Sequence, residues 1–264
     1  MNRIKINENF FKEVNNEQVA YTLELLYADG WIENSHTFGI EMLEYDKDIL
    51  EQIKFAMHAE QILKSRVQKV NGKTKYIFRV HRSTMVHDLV NLGCTERKSL
   101  TLQFPDKGII PEHLFHHFIR GYFDGDGSVS EGRNVKVNFT GNVNFILDLR
   151  NHLSKCTQLK ANKPNFGKCK ETHHFCTMEW SGRGNAKKLF NYLYKDATIY
   201  GKRKYNKFIE IICALDKKLS SELRLIAGKP EMVISSEASK EERSSTIPET
   251  EVESSDSKCL TLTR

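Results

Sequence analysis

No stretch of the sequence approaches the roughly 18 consecutive apolar residues of a membrane-spanning helix, so the pattern excludes a transmembrane helix. The first residues, MNRIKINENF, lack the apolar core of a secretory signal, which predicts an intracellular chain. The six cysteines, Cys94, Cys156, Cys169, Cys176, Cys213 and Cys259, include no CxxC pair. In a reducing compartment they read as free thiols. Cys156, Cys169, His173, His174 and Cys176 lack the close ligand pairs of a zinc knuckle. From Ser235 to Ser257 large apolar side chains are nearly absent. Such a segment buries too little surface to offset its ordering entropy, which predicts a disordered, acidic C-terminal tail.

Lys plus Arg number 40 against 34 Asp plus Glu. From Lys229 onward the count is 5 basic against 8 acidic, so residues 1–228 carry 35 against 26, a net +9. A basic body points to a polyanionic partner. The 264 residues suffice for one large domain or two small ones.

The sequence turns on two stretches. Phe118–Val129, FIRGYFDGDGSV, sets Gly121 and Gly125 four apart in an apolar run and closes on Asp126-Gly127. Glycines at i and i+4 share a helix face and let another backbone approach closely. Tyr21–Ile32, YTLELLYADGWI, closes in the same way on Ala28-Asp29-Gly30. Aligning Asp29 with Asp126, 97 residues apart, sets Ala28 on Gly125, Tyr27 on Asp124 and Glu24 on Gly121. A carboxylate at the negative C-terminal end of a helix is disfavoured alone but favoured beside a divalent cation.

The residues after each motif repeat an order. In the first half, Phe38, Ile40 and Met42 alternate as a strand, and Asp46–Met57 reads as a helix with Asp46 at its N-cap. Ile62–Val70 and Lys75–His81 form a hairpin turning at Asn71-Gly72, and Ser83–Asn91 a short helix stopping at Gly93. One further strand is expected within Trp31–His36. The second half gives a strand over Val135–Thr140 and a helix over Asn142–Lys155. A hairpin over Asn162–Lys170 and Thr172–Trp180 and a helix over Asn185–Tyr194 follow. A repeat of this kind implies a pseudo-twofold molecule.

On these motifs the chain resembles the LAGLIDADG homing endonuclease family in its single-chain, two-motif form. The resemblance implies an α+β fold of two pseudo-symmetric αββαββα half-domains with antiparallel DNA-binding sheets, joined through two packed motif helices. The expected divisions are a lead-in at 1–16, half-domains at 17–110 and 111–228, and a tail at 229–264. It further implies a monomeric, site-specific endonuclease that hydrolyses both strands of a long, asymmetric duplex DNA site. The divalent ions, Mg²⁺ or Mn²⁺, would be held by Asp29 and Asp126 with the backbone of Ala28 and Gly125. By position Lys98 and Lys204 are the candidates to activate or polarise the hydrolytic water. DNA contact is expected from the two hairpins: Lys64, Arg66, Gln68, Lys69, Lys73 and Lys75 on one, and Lys160, Lys163, Lys168 and Lys170 on the other. The alternative readings are an RNA maturase that assists intron splicing and a non-catalytic DNA-binding module of the same fold. Glu24 departs from the small residue usual at its position, and Arg120 is expected to reach across the helix crossing and pair with it.

Overall fold

In a computed structural model, residues 4–95, 102–106, 108–160, 162–166 and 174–227 are described, with side chains as far as residue 214. The chain divides into a compact unit, Met1–Leu223, and a second, Arg224–Arg264, of which only the end of a helix is described. The expected tail at 229–264 lies outside the described residues.

The first half runs α1 (Glu17–Ala28), β1 (Gly30–Glu33), β2 (Thr37–Leu43), α2 (Lys47–Ala56), β3 (Lys64–Val67), β4 (Thr74–His81) and α3 (Ser83–Asn91). The second runs α4 (Phe115–Asp126), β5 (Gly127–Glu131), β6 (Val135–Asn142), α5 (Val143–Thr157), β7 (Phe175–Ser181) and α6 (Arg183–Leu193). A longer helix, α7 (Lys202–Ala227), follows. The strands form antiparallel sheets in the orders β1-β2-β4-β3 and β5-β6-β7. Asn165 bridges to Thr177 on β7, the place that β3 takes beside β4 in the first sheet. The first half follows the expected order of elements; in the second, the expected arm Asn162–Lys170 is represented by the Asn165 bridge, and its residues 167–170 lie outside the described residues.

Each sheet buries one face. Phe38, Ile40 and Met42 of β2 lie opposite Val80, Phe78 and Tyr76 of β4. Val137 and Phe139 of β6 lie opposite Trp180 and Met178 of β7. Both sets are buried apart from Tyr76, which is packed against the core from its edge. Alternation leaves the other face of each sheet to solvent.

Between the sheets, α1 and α4 are buried on nearly every side, and the buried faces include the polar residues Glu24, His117, Arg120 and Asp124. They cross through small residues. A Cβ on Gly121 would strike the Tyr21 carbonyl oxygen, and one on Gly125 would come within 2.6 Å of Ala28 Cβ. Each motif helix then passes directly into a strand. A Cβ on Gly30 would lie 2.7 Å from Leu26 O, and one on Gly127 would lie 2.6 Å from Phe123 O. Gly127 has φ −88° and ψ 164°, so close approach, rather than a left-handed conformation, requires glycine there.

The aligned residues Tyr27 and Asp124 tether their helices to different neighbours. The Tyr27 hydroxyl donates to Leu92 O just after α3. The Asp124 carboxylate accepts from Tyr21 Oη and from Gly201 N before α7, both at 2.7 Å.

Arg120 corrects one expectation. Its fully buried guanidinium donates to Ile199 O at 3.0 Å, Leu193 O at 2.8 Å and the Glu17 carboxylate at 2.5 Å. The partner is thus Glu17 at the start of α1, because α1 and α4 bring their N-terminal turns together; Glu24 sits about two turns further along the crossing. Glu17 also accepts from Thr198 N, Thr198 Oγ1 and Ile199 N. Burial alone would raise its carboxyl, but the Thr198 hydrogen bonds and the Arg120 charge hold it below the ordinary value. Asp46 stands at the N-cap of α2 without a side-chain capping bond, since Arg203 takes its carboxylate at 2.9 and 2.8 Å.

His117 Nδ1 accepts from Arg120 at 2.8 Å. Burial, then the Arg120 charge, push its pKa down to about 3 from an ordinary 6.5. Between those two values the unfolded chain binds the proton and the folded chain does not, so stability falls as pH drops through that window. His117→Gln is expected to flatten the fall, read as urea midpoints at pH 7 and pH 4.5. Equal slopes for the two proteins would refute the neutral, accepting imidazole.

Candidate active site and nucleic-acid interface

The C-terminal ends of α1 and α4 bring together Ala28, Asp29, Gly125 and Asp126. A Cβ on Gly125 would lie 3.1 Å from Asp29 Oδ2, so that carboxylate rests against the backbone of the opposite motif. Asp126 is the next residue, and both aspartates are exposed. Tyr122, buried beneath them, has its phenol pushed up by burial first and then by the charges of Asp126, Glu24 and Asp29. Both carboxylates therefore act on one ring. Asp124 points away from this surface, and burial raises its pKa to about 6.

Lys204 lies beneath the same helix end. Its buried ammonium donates to Phe123 O at 2.7 Å, Asp124 O at 2.7 Å and Gly125 O at 3.0 Å. Those are last-turn carbonyls of α4, of which Phe123 O also accepts from the C-cap Gly127 N. Three donors are thereby committed to three acceptors, the geometry of a helix cap. Burial pulls the Lys204 pKa down, and the Asp124 charge opposes the shift. A cleft of about 620 Å³, lined by Gly125, Gly127, Ser128, Arg203, Lys204 and Lys207, opens beside it. Lys98 lies outside the described residues.

The donor set at the helix ends is all oxygen: two exposed carboxylates and main-chain carbonyls, of which Gly125 O is shared with the Lys204 ammonium and keeps a second lone pair. That chemistry fits a hard divalent cation such as Mg²⁺.

The open face of the first sheet carries Lys64 and Arg66 from β3 and Lys75 from β4, because register places Arg66 opposite Lys75. Glu41 of β2 gathers two of them, accepting from Arg66 at 2.6 and 2.9 Å and from Lys75 at 3.1 Å. The Arg66 hydrogen bonds hold the Glu41 carboxyl below its ordinary value. Gln68, Lys69 and Lys73 belong to the β3–β4 loop, which is longer than the expected tight turn. Gln68 N donates to Lys73 O, and Gly72 takes φ +66°.

The same face carries residues that the hairpin clusters alone do not single out. The Arg79 guanidinium stands 4.5 Å from the centre of the Trp31 ring and 3.4 Å from Glu33. On the second sheet, Ser128, Lys136, Asn138, Thr140, Thr177 and Glu179 share the open face. Lys136 pairs with Glu179 at 2.9 Å. Lys160 and Lys163 are exposed near the Asn165 bridge, while Lys168 and Lys170 lie outside the described residues. Lys136 and Asn138 were readable in principle, as the polar alternates of Val135, Val137 and Phe139.

Residues 116–153, within the second half, match the LAGLIDADG-like domain family. Among solved structures the fold is similar to the homing endonuclease I-WcaI bound to its DNA recognition sequence. That protein is 12% identical over 75% of this chain and 91% of its own, with a TM-score of 0.53. It is also similar to the LAGLIDADG homing endonuclease I-GzeII in complex with its DNA target, 13% identical over 80% of this chain and 92% of its own, with a TM-score of 0.51. No curated protein matches the sequence. The chain has the LAGLIDADG homing endonuclease fold, the fold that its two motifs imply.

Proposed function

We propose that this chain is a metal-dependent, site-specific DNA endonuclease that cuts both strands of a long, asymmetric duplex as a monomer. The observation that carries the proposal is the Asp29 carboxylate resting on Gly125, one residue from Asp126, at one end of a glycine-lined crossing. The DNA-bound state of the two similar endonucleases supports a DNA substrate. The half-domains at 17–110 and 111–228 would each offer one open sheet face to the major groove.

Asp29 and Asp126, with the main chain of Ala28 and Gly125, would hold Mg²⁺ or Mn²⁺. When bound, such a cation supplies charge stabilisation at the scissile phosphate and a nucleophilic water at neutral pH. The glycine-lined contact fixes the separation of the two carboxylates. Lys204 satisfies the carbonyls behind them and keeps the end of α4 in place, a positioning role. Lys98 remains the candidate to polarise the attacking water. The exposed basic residues neutralise phosphate, and the polar residues of the open faces read base edges.

Selection of cut molecules from a random duplex library tests the proposal. With Mg²⁺ a defined set of double-strand breaks is expected, and with EDTA none. Retention on structured intron RNA without cleavage of any duplex would overturn it.

The loop lysines give a separate prediction. Lys69→Ala with Lys73→Ala is expected to lower affinity and flatten its salt dependence by about one unit for each phosphate no longer neutralised. An unchanged slope in binding isotherms at several salt concentrations would move the interface elsewhere.

A further inference from the structure

We propose that Glu112, His152 and Cys156 form a second metal site, for a transition-metal dication of the zinc class. Their ligand atoms all lie within 4.8 Å of one another. His152 and Cys156 are i and i+4 on α5, so the helix stacks them on one face. Cys156 Sγ is 3.4 Å from His152 Nε2, close to the edge of a coordination tetrahedron built from bonds of ~2.3 Å to sulfur and ~2.0 Å to nitrogen. Glu112 comes from the short turn Glu112–Leu114 that leads into α4. That turn is held against α5 by the Phe115 and His152 rings, whose centres are 4.7 Å apart.

The surroundings suit an ion. Tyr192 Oη stands 2.8 Å from the same His152 Nε2, a hydrogen bond that a bound ion would displace in taking that nitrogen's lone pair. The cluster opens to a cleft of about 390 Å³, where Asp106 and Asp148 offset the charge of Lys155. That cleft leaves room for water as a fourth ligand. The donors are nitrogen, sulfur and one carboxylate, a set that favours zinc or cobalt over magnesium. The site stands at the start of α4, a helix of 12 residues and therefore roughly 17 Å long, with Asp126 at its far end. An ion here would fasten the approach to the second motif helix onto α5. It is structural and independent of the carboxylate pair.

Cobalt(II) titration of the full chain is the test, because thiolate ligation gives a charge-transfer band in the near ultraviolet. The band is expected in the wild-type chain, in Asp126→Asn and in Cys213→Ser. It should vanish in Cys156→Ser, and His152→Gln should weaken cobalt binding at least tenfold. Circular dichroism establishes that each variant is folded. Zinc should also protect the Cys156 thiol of the wild-type chain from alkylation, mapped by mass spectrometry, a readout that needs no variant. Absence of the band, its survival in Cys156→Ser, or alkylation of Cys156 at the same rate with and without zinc would overturn the site.

Discussion

Asp126→Asn is expected to reduce cleavage by ~10²-fold or more, the scale for removing one preorganised electrostatic group, while duplex binding stays largely intact. Asparagine keeps the shape but loses the charge that attracts a cation. Asp126 is exposed, so the same change should leave thermal stability largely unaltered. Loss of cutting together with a retained Tm therefore separates a site residue from a structural one. Cutting at the wild-type rate would remove Asp126 from the site.

Arg120→Leu is expected to destabilise the protein by about 3–5 kcal/mol, the cost of breaking a buried pair and leaving Glu17 without its cation. At ~2–4 °C of Tm per kcal/mol for a protein of this size, calorimetry would show a clear fall. The fall comes from several places at once, since Arg120 also satisfies the carbonyls of Leu193 and Ile199. A double-mutant cycle identifies the partner: strong coupling is expected between Arg120 and Glu17, and coupling near zero between Arg120 and Glu24. The reverse result would show that the crossing is paired differently.

The motif helices were legible through their apolar lead-ins, the spacing of Gly121 and Gly125, and the shared small-Asp-Gly close; the burial of Glu24, His117, Arg120 and Asp124 within them was not. Strands β2 and β6 were legible through alternation, and β4 through the hairpin signal at Asn71-Gly72. β5 was not, since its sequence GSVSE contains only one apolar residue and lies along a sheet edge. α7 does carry a helical signal, with Phe208, Ile211 and Ile212 buried at the right spacing. The pair Arg120–Glu17 joins residues 103 apart and depends on how far α1 slides along α4, which no local pattern encodes. The same holds for the Glu112, His152 and Cys156 cluster, where only the helical half, His152 and Cys156, is visible as i and i+4. Lys204 was legible as a lysine near the helix ends. Its commitment to three carbonyls required the fold.

The direct passage from motif helix to strand at Gly30 and Gly127 has a metric consequence for the endonuclease proposed here. No loop intervenes, so each carboxylate is one residue from the first strand of the sheet that would read bases. Cutting position and reading frame then share a single origin: a base pair inserted at the centre of the target cannot be absorbed by protein slack and must be taken up by the DNA.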